Sequence, residues 1–281
     1  MHKQILIVLL IAVVGCSLPF SEKSVEDSQT SDQQQARSTQ GQNCNNELLP
    51  MKVGASWTYK INYQQKQMQS VEMTKTIISA EGNSFTVKRR FTGAKLPTAT
   101  NLEGKIECIN GDLKSYDLGS SNVSLSDEQD FQATGKIQSV EGIWLPAKVK
   151  QGDKWSYTAD IQINKPISEK QFGQPKGRTV SNCIAQGKET ITVAAGTFEA
   201  IKVTCNLDLT TKFGDVETLT TVIQNSWFAP GVGWVKSTSS VVKLSTLFKG
   251  KEQKLKFPGI PDFSSGQDKP TEIELISYNI P

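Results

Sequence analysis

The residues of this chain that could do chemistry are few. His2 is the single histidine among 281 residues. Ser-His-Asp and Cys-His nucleophile systems, His-ligated zinc and histidine general bases all need an imidazole that titrates near neutrality. Carboxylates remain, and a glycosidase needs two of them flanking one bond. Asp153 stands in a Gly-Asp-Lys turn before a strand and Asp262 in a Pro-Asp-Phe loop, where turn-forming roles suffice. Lys88-Arg89-Arg90 sends side chains to both faces of its strand, so it is no phosphate cradle. Gly231 and Gly233, between Pro230 and Val235, read as a turn entering a strand rather than a phosphate loop. The cysteines show no CxxC spacing, and no histidine is at hand to complete a tetrahedral metal site. No catalytic residue, metal ligand or cofactor is therefore assigned.

The five cysteines carry the sharper signal. His2 and Lys3 precede ten apolar residues, Ile5 to Val14, and Val13-Val14-Gly15-Cys16 resembles the lipobox of bacterial lipoproteins. Ten residues are too few to cross a hydrocarbon layer of ~30 Å, which needs about 20. The expectation is a signal peptide over residues 1–15 and a lipidated Cys16. Its sulfur would carry diacylglyceryl and its amine an acyl group such as palmitate. Several chains make the anchorage stable, since each buried methylene contributes about 0.8 kcal/mol. Ser17 rather than Asp follows the cysteine, which favours an outer-membrane destination in a cell that has one. Cleavage there also removes His2.

Cys44, Cys108, Cys183 and Cys205 remain, an even number in an exported chain, and two disulfides are expected with three pairings open. Cys183 with Cys205 is preferred, because they flank a hairpin turning near Ala195-Gly196. Cys44 is then left for Cys108.

A net charge of +3 gives nucleic-acid binding no electrostatic support. Lys249, Lys251, Lys254 and Lys256 alternate, which protects an exposed strand from edge pairing; contact with anionic lipid heads or an acidic glycan is the functional alternative. Residues 17–43 are rich in Gln, Ser, Asp and Thr and almost free of large apolar side chains. Such a stretch cannot offset its ordering entropy and reads as a disordered tether behind the lipidated cysteine.

Beyond the tether, the chain must position these residues with strands. Trp57, Tyr59, Ile61 and Tyr63 alternate with polar neighbours over Ser56 to Tyr63, and Trp155, Tyr157, Ala159, Ile161 and Ile163 do so over Lys154 to Ile163, the period-two signature of half-buried strands. Further strands are expected near Val71 to Ala80, Ser84 to Phe91, Lys105 to Asn110, Glu189 to Val193, Phe198 to Thr211, Glu217 to Trp227, Val232 to Leu244 and Glu272 to Ile280. Turns fall at Glu81-Gly82-Asn83, Asn110-Gly111-Asp112 and Ala195-Gly196-Thr197. No long helical stripe is present. The fold class is mainly β: an antiparallel curved sheet or half-barrel.

The two aromatic strands belong to an internal repeat. Leu49-Pro50, Gly54 and Trp57-Thr58-Tyr59 correspond to Leu145-Pro146, Gly152 and Trp155-Ser156-Tyr157. This divides the folded part into a first β repeat, 44–120, a linker, 121–142, and a second β repeat, 143–281. Trp57, Trp144, Trp155, Trp227 and Trp234 could stack on sugars or line a lipid pocket. Core packing is the simpler role for Trp57 and Trp155, and Trp144, beside Pro146, is the one expected at the surface.

Val193-Ala194-Ala195-Gly196-Thr197-Phe198 and Trp227-Phe228-Ala229-Pro230-Gly231-Val232-Gly233-Trp234, following the Gly-x-x-Trp-x-Tyr start, resemble a pattern of DUF3108-like and TapB-like bacterial secreted proteins and lipoproteins. The second half, about 143 to 280, follows the pattern in order, and the first half keeps the Trp-x-Tyr start. The resemblance implies a β fold and brings no catalytic residues. The expected role is a membrane-anchored, non-catalytic binding or scaffolding module of the cell envelope. The alternatives are a carrier holding a lipid or other apolar ligand on its curved sheet and, more remotely, a carboxylate-dependent polysaccharide hydrolase. The expected partners are the membrane, through the N-terminal lipid, and an envelope protein or apolar ligand of unknown identity.

Overall fold

In the computed structural model the described residues are 44–62, 70–93, 100–117, 134–164, 176–253 and 270–281. The leader, Cys16 and the tether lie outside them, as do Tyr63, Lys254, Lys256 and Asp262. Among the described residues all regular structure is strand: β1 (Ser56–Asn62), β2 (Val71–Glu81), β3 (Ser84–Thr92), β4 (Thr100–Ile109), β5 (Asp112–Ser115), β6 (Thr134–Gly142), β7 (Lys154–Asn164), β8 (Lys176–Val193), β9 (Gly196–Phe213), β10 (Val216–Ala229), β11 (Gly233–Phe248), β12 (Lys251–Gln253) and β13 (Thr271–Asn279).

One antiparallel sheet contains them all. Its order is β5-β4-β3-β2-β1-β13-β11-β10-β9-β8-β7-β6, with β12 paired to β11 off this path. Strand β13 inserts between β1 and β11, so both halves of the repeat share a single sheet. The end strands do not stand as open edges, which would invite pairing with other chains. The Leu113 amide of β5 donates to the Leu145 carbonyl at 2.8 Å, and the Trp144 amide donates back to Leu113 at 2.8 Å. The sheet is a nearly closed barrel with this one seam.

The alternation explains what fills it. Trp57, Tyr59 and Ile61 of β1, Val71, Met73 and Ile77 of β2, and Phe85, Val87 and Phe91 of β3 are all buried, because period-two placement sends each set to the concave face. Two of the turn signals reappear at Gly82 and at Asn110-Gly111. The third turn forms at Ala194-Ala195, with β9 starting on Gly196.

Several segments differ from the sequence expectation: β4 starts at Thr100 rather than near Lys105, and β5 and β12 form outside the expected strand ranges. Residues 134–142, inside the stretch expected as a linker, form β6 against β7. Strand β8 starts at Lys176 rather than near Glu189 and runs along β9 through a register shift at Ala185/Gly187. Its first half, Lys176 to Gln186, is rich in Gly, Ser, Thr and Asn, and so gives a weak apolar alternation.

One end of the barrel is closed by the segment 44–49. Asn46 Nδ2 donates to the carbonyls of Gly111 and Pro146, each at 2.9 Å, and its Oδ1 accepts from the amides of Leu48 and Leu49. One side chain thus ties both flanks of the seam. Gly111 is required there, since φ is +90° and a Cβ would lie 2.8 Å from the Asn45 carbonyl oxygen. A disulfide from Cys44 to Cys108 fixes the same segment to β4.

Candidate functional site: the barrel interior

Above this floor the interior is packed. The Trp57 indole donates to the Val232 carbonyl at 2.6 Å. Gly233 sits against the same ring with φ at +112°, where a Cβ would come 3.2 Å from Trp57 Nε1 and 3.1 Å from Leu49 Cδ1. The Trp-x-Tyr start and the Pro-Gly-Val-Gly turn are therefore two sides of one contact. Tyr59 stacks at 42° on Trp234 with ring centroids 5.0 Å apart, and burial pushes its phenol far up. In the second repeat, Trp155 Nε1 donates to the Trp144 carbonyl at 3.2 Å. The Tyr157 hydroxyl donates across the seam to the Ser115 carbonyl.

Three charged groups share this interior. Lys75 and Arg89 are direct cross-strand partners between β2 and β3 and have the inward parity of Met73, Ile77, Val87 and Phe91. Arg89 is buried and paired with Asp117, whose side chain is also buried. Asp117 reaches it by folding over Gly104, where a Cβ would lie 2.6 Å from the Asp117 Cβ; the bare glycine makes the approach possible. Burial pulls the Arg89 guanidinium down, and Asp117 opposes this. Lys75 Nζ lies 5.6 Å from the centroid of the Trp144 ring, in range for a cation–π contact. Desolvation lowers its pKa to about 8, against the pull of Asp117 and with the push of Arg89. The Tyr157 phenol is raised, by burial first and then by Asp117 and Tyr116.

The wall formed by β8 to β11 is different. Cross-strand register aligns Ser181, Leu207, Val222 and Val241 in one row and Thr179, Leu209, Thr220 and Leu244 in the next, with the parity of the buried Val203, Ser226 and Ser237. Leu207, Leu209, Val222, Val241 and Leu244 nonetheless keep partial solvent access. Ser181 and Thr220 in these same rows are buried, as are Thr211, Thr218 and Thr246 in the row beyond. Cys183 and Cys205 are bonded on this inner face.

Asp153 accepts from the Lys150 amide at 2.7 Å, a turn role. Lys249 occupies a left-handed turn beside Asp215, and Lys251 opens β12. Trp144, expected at the surface, turns its ring toward Lys75. The Lys75, Arg89 and Asp117 cluster was not singled out by the sequence reading. Its signal is a charge at an apolar parity, in Met73-x-Lys75-x-Ile77 and in Val87-x-Arg89-x-Phe91.

A family model described as DUF3108-like matches residues 28–243. The chain belongs to the DUF3108-like family. The match takes in both repeats, so the first half is as much a part of this DUF3108-like protein as the second. Two solved structures are similar to it. A Bacteroides fragilis protein taken to be exported, with a YmcC-like fold, has 12% identity and a TM-score of 0.49, over 84% of this chain and 100% of its own. A Parabacteroides distasonis protein taken to be a lipoprotein has 15% identity and a TM-score of 0.47, over 83% and 99%. Among curated proteins none matches the DUF3108-like chain.

Proposed function

We propose that this chain is a non-catalytic binding module of the cell envelope, tethered through a lipid on Cys16, and that it carries an apolar ligand inside its barrel. The lipobox at Val13 to Cys16 supports the anchor, and Ser17 supports the outer membrane as its location in a two-membrane cell. A scaffold that only presents its outer surface needs a filled interior, whereas a carrier needs an apolar concavity. The observation that favours the carrier is the β9 to β11 wall, where inward-facing Leu207, Leu209, Val222, Val241 and Leu244 are left partly accessible between buried layers. A side chain of that type is worth about 1.5–3 kcal/mol when fully buried, so an occupant that covered these five would be stabilised by their remaining accessible area.

Native mass spectrometry of the full chain, extracted in mild detergent, tests this. A lipid or other apolar mass retained on the protein supports the carrier. A chain free of such mass that cross-links to one envelope protein overturns it and leaves the scaffold.

A further inference from the structure

Lys75 is a half-buried cation with the inward parity of β2 that has no ion-pair partner among the described residues. Arg89 and Asp117 offset one another's charge in a buried ion pair, which leaves the Lys75 ammonium as one positive charge in excess in this cluster of described residues. Among the described residues Lys75 makes no hydrogen bond or ion pair. Its close partner is the Trp144 ring, and its inward neighbours Met73 and Ile77 are buried. A charge in such surroundings is expensive unless it is paired, and desolvation already pulls the group down to about 8.

The inner face continues from this cation to the open wall. Trp144 packs with Tyr157 and Ala159; Tyr157 pairs with Ser181 and Ala159 with Thr179. Those two pair with Leu207 and Leu209, which pair in turn with Val222 and Thr220. A cation at one end and partly accessible aliphatic side chains at the other match an amphiphile with a charged head and a hydrocarbon tail.

We propose that Lys75, backed by Trp144, binds the head of a single-tailed carboxylate amphiphile, a fatty acid in chemical class, whose tail lies along Leu207, Leu209 and Val222. A monoanionic head fits the single excess charge. A phosphate dianion would overcompensate it. The proposal rests on the carrier reading and adds the chemistry of its ligand.

Equilibrium binding of oleate and oleyl alcohol to the delipidated full chain tests it, because the two probes share a tail and differ in head charge. The expected result is that oleate binds at least about tenfold tighter than the alcohol, that Lys75→Met abolishes the difference, and that Lys75→Arg keeps it. Inorganic phosphate should not displace oleate. Equal binding of the two probes by the wild-type chain overturns the carboxylate site and leaves the carrier reading standing. Binding of neither overturns both. Displacement by phosphate, or an unchanged preference in Lys75→Met, also overturns the assignment to Lys75 and a carboxylate. A thermal melt accompanies the variant: Lys75→Met should melt no lower than wild type, since it removes a partly buried cation whose charge burial disfavours, so loss of the preference is not loss of fold.

Discussion

The two walls of the barrel come from one alternating pattern and meet opposite ends. In β1 to β3 the inward positions are bulky, with Trp57, Tyr59, Ile61, Met73 and Phe91 almost completely buried, and the charges that intrude are Lys75 and Arg89. In β9 to β11 the inward positions beyond Val203 and Ser237 are hydroxyls and medium aliphatics, and a middle belt stays partly accessible. Strands of up to 18 residues extend past what the floor can fill. The first wall is closely packed and the second keeps partly accessible aliphatic side chains, a division that amphipathic alternation alone does not determine, because it sets which side chains face inward and not how much volume they face.

The largest effect should come from unbalancing the filled wall's charges. Asp117→Ala strands Arg89 beside Lys75 and should cost about 3–5 kcal/mol in urea unfolding. Arg89→Met combined with Asp117→Leu should recover most of that loss. Next comes the contact between the two family motifs: Trp57→Ala should cost about 3–5 kcal/mol through cavity and transfer terms. Trp57→Phe, which keeps a ring and loses the donor to Val232, should cost about 1–2 kcal/mol.

The third effect depends on pH. Below about pH 8 Lys75 is protonated in both folded and unfolded chains and its burial penalty is fully present. From there towards the ordinary lysine pKa the folded chain has shed the proton while the unfolded chain still holds it, so stability rises, by a gain on the order of 1–3 kcal/mol. Tyr59 and Tyr157, whose phenols are pushed up, reverse the trend above about pH 10, where the unfolded chain ionises them first. Chemical denaturation at pH 7.5 and pH 9.5 should show the rise in wild type and not in Lys75→Met. The smallest effect belongs to the open wall: Leu209→Ala should cost less than about 1 kcal/mol, against about 2–5 kcal/mol for Ile61→Ala in the closed one.

Much of the wall structure was legible in the sequence because alternation is local. Trp57-x-Tyr59-x-Ile61 and Phe85-x-Val87 mark buried faces without reference to any other strand. The closure was not legible. Leu113 meets Leu145 through an isolated bridge, and β13 finds its place between β1 and β11 by contacts distant in the chain, which no window of neighbouring residues encodes. The interior site was half legible: Lys75 and Arg89 break their apolar parity visibly, whereas Asp117 lies beyond the end of β5 and joins them only because Gly104 leaves it room.

Whether the β9 to β11 wall holds an apolar ligand is decided by native mass spectrometry of the full chain beside its Leu209→Trp variant. One small apolar mass is expected on the wild-type chain and none on the variant, whose indole would take the ligand's place, with both folded. A wild-type chain free of ligand, or equal occupancy of both proteins, would contradict that expectation.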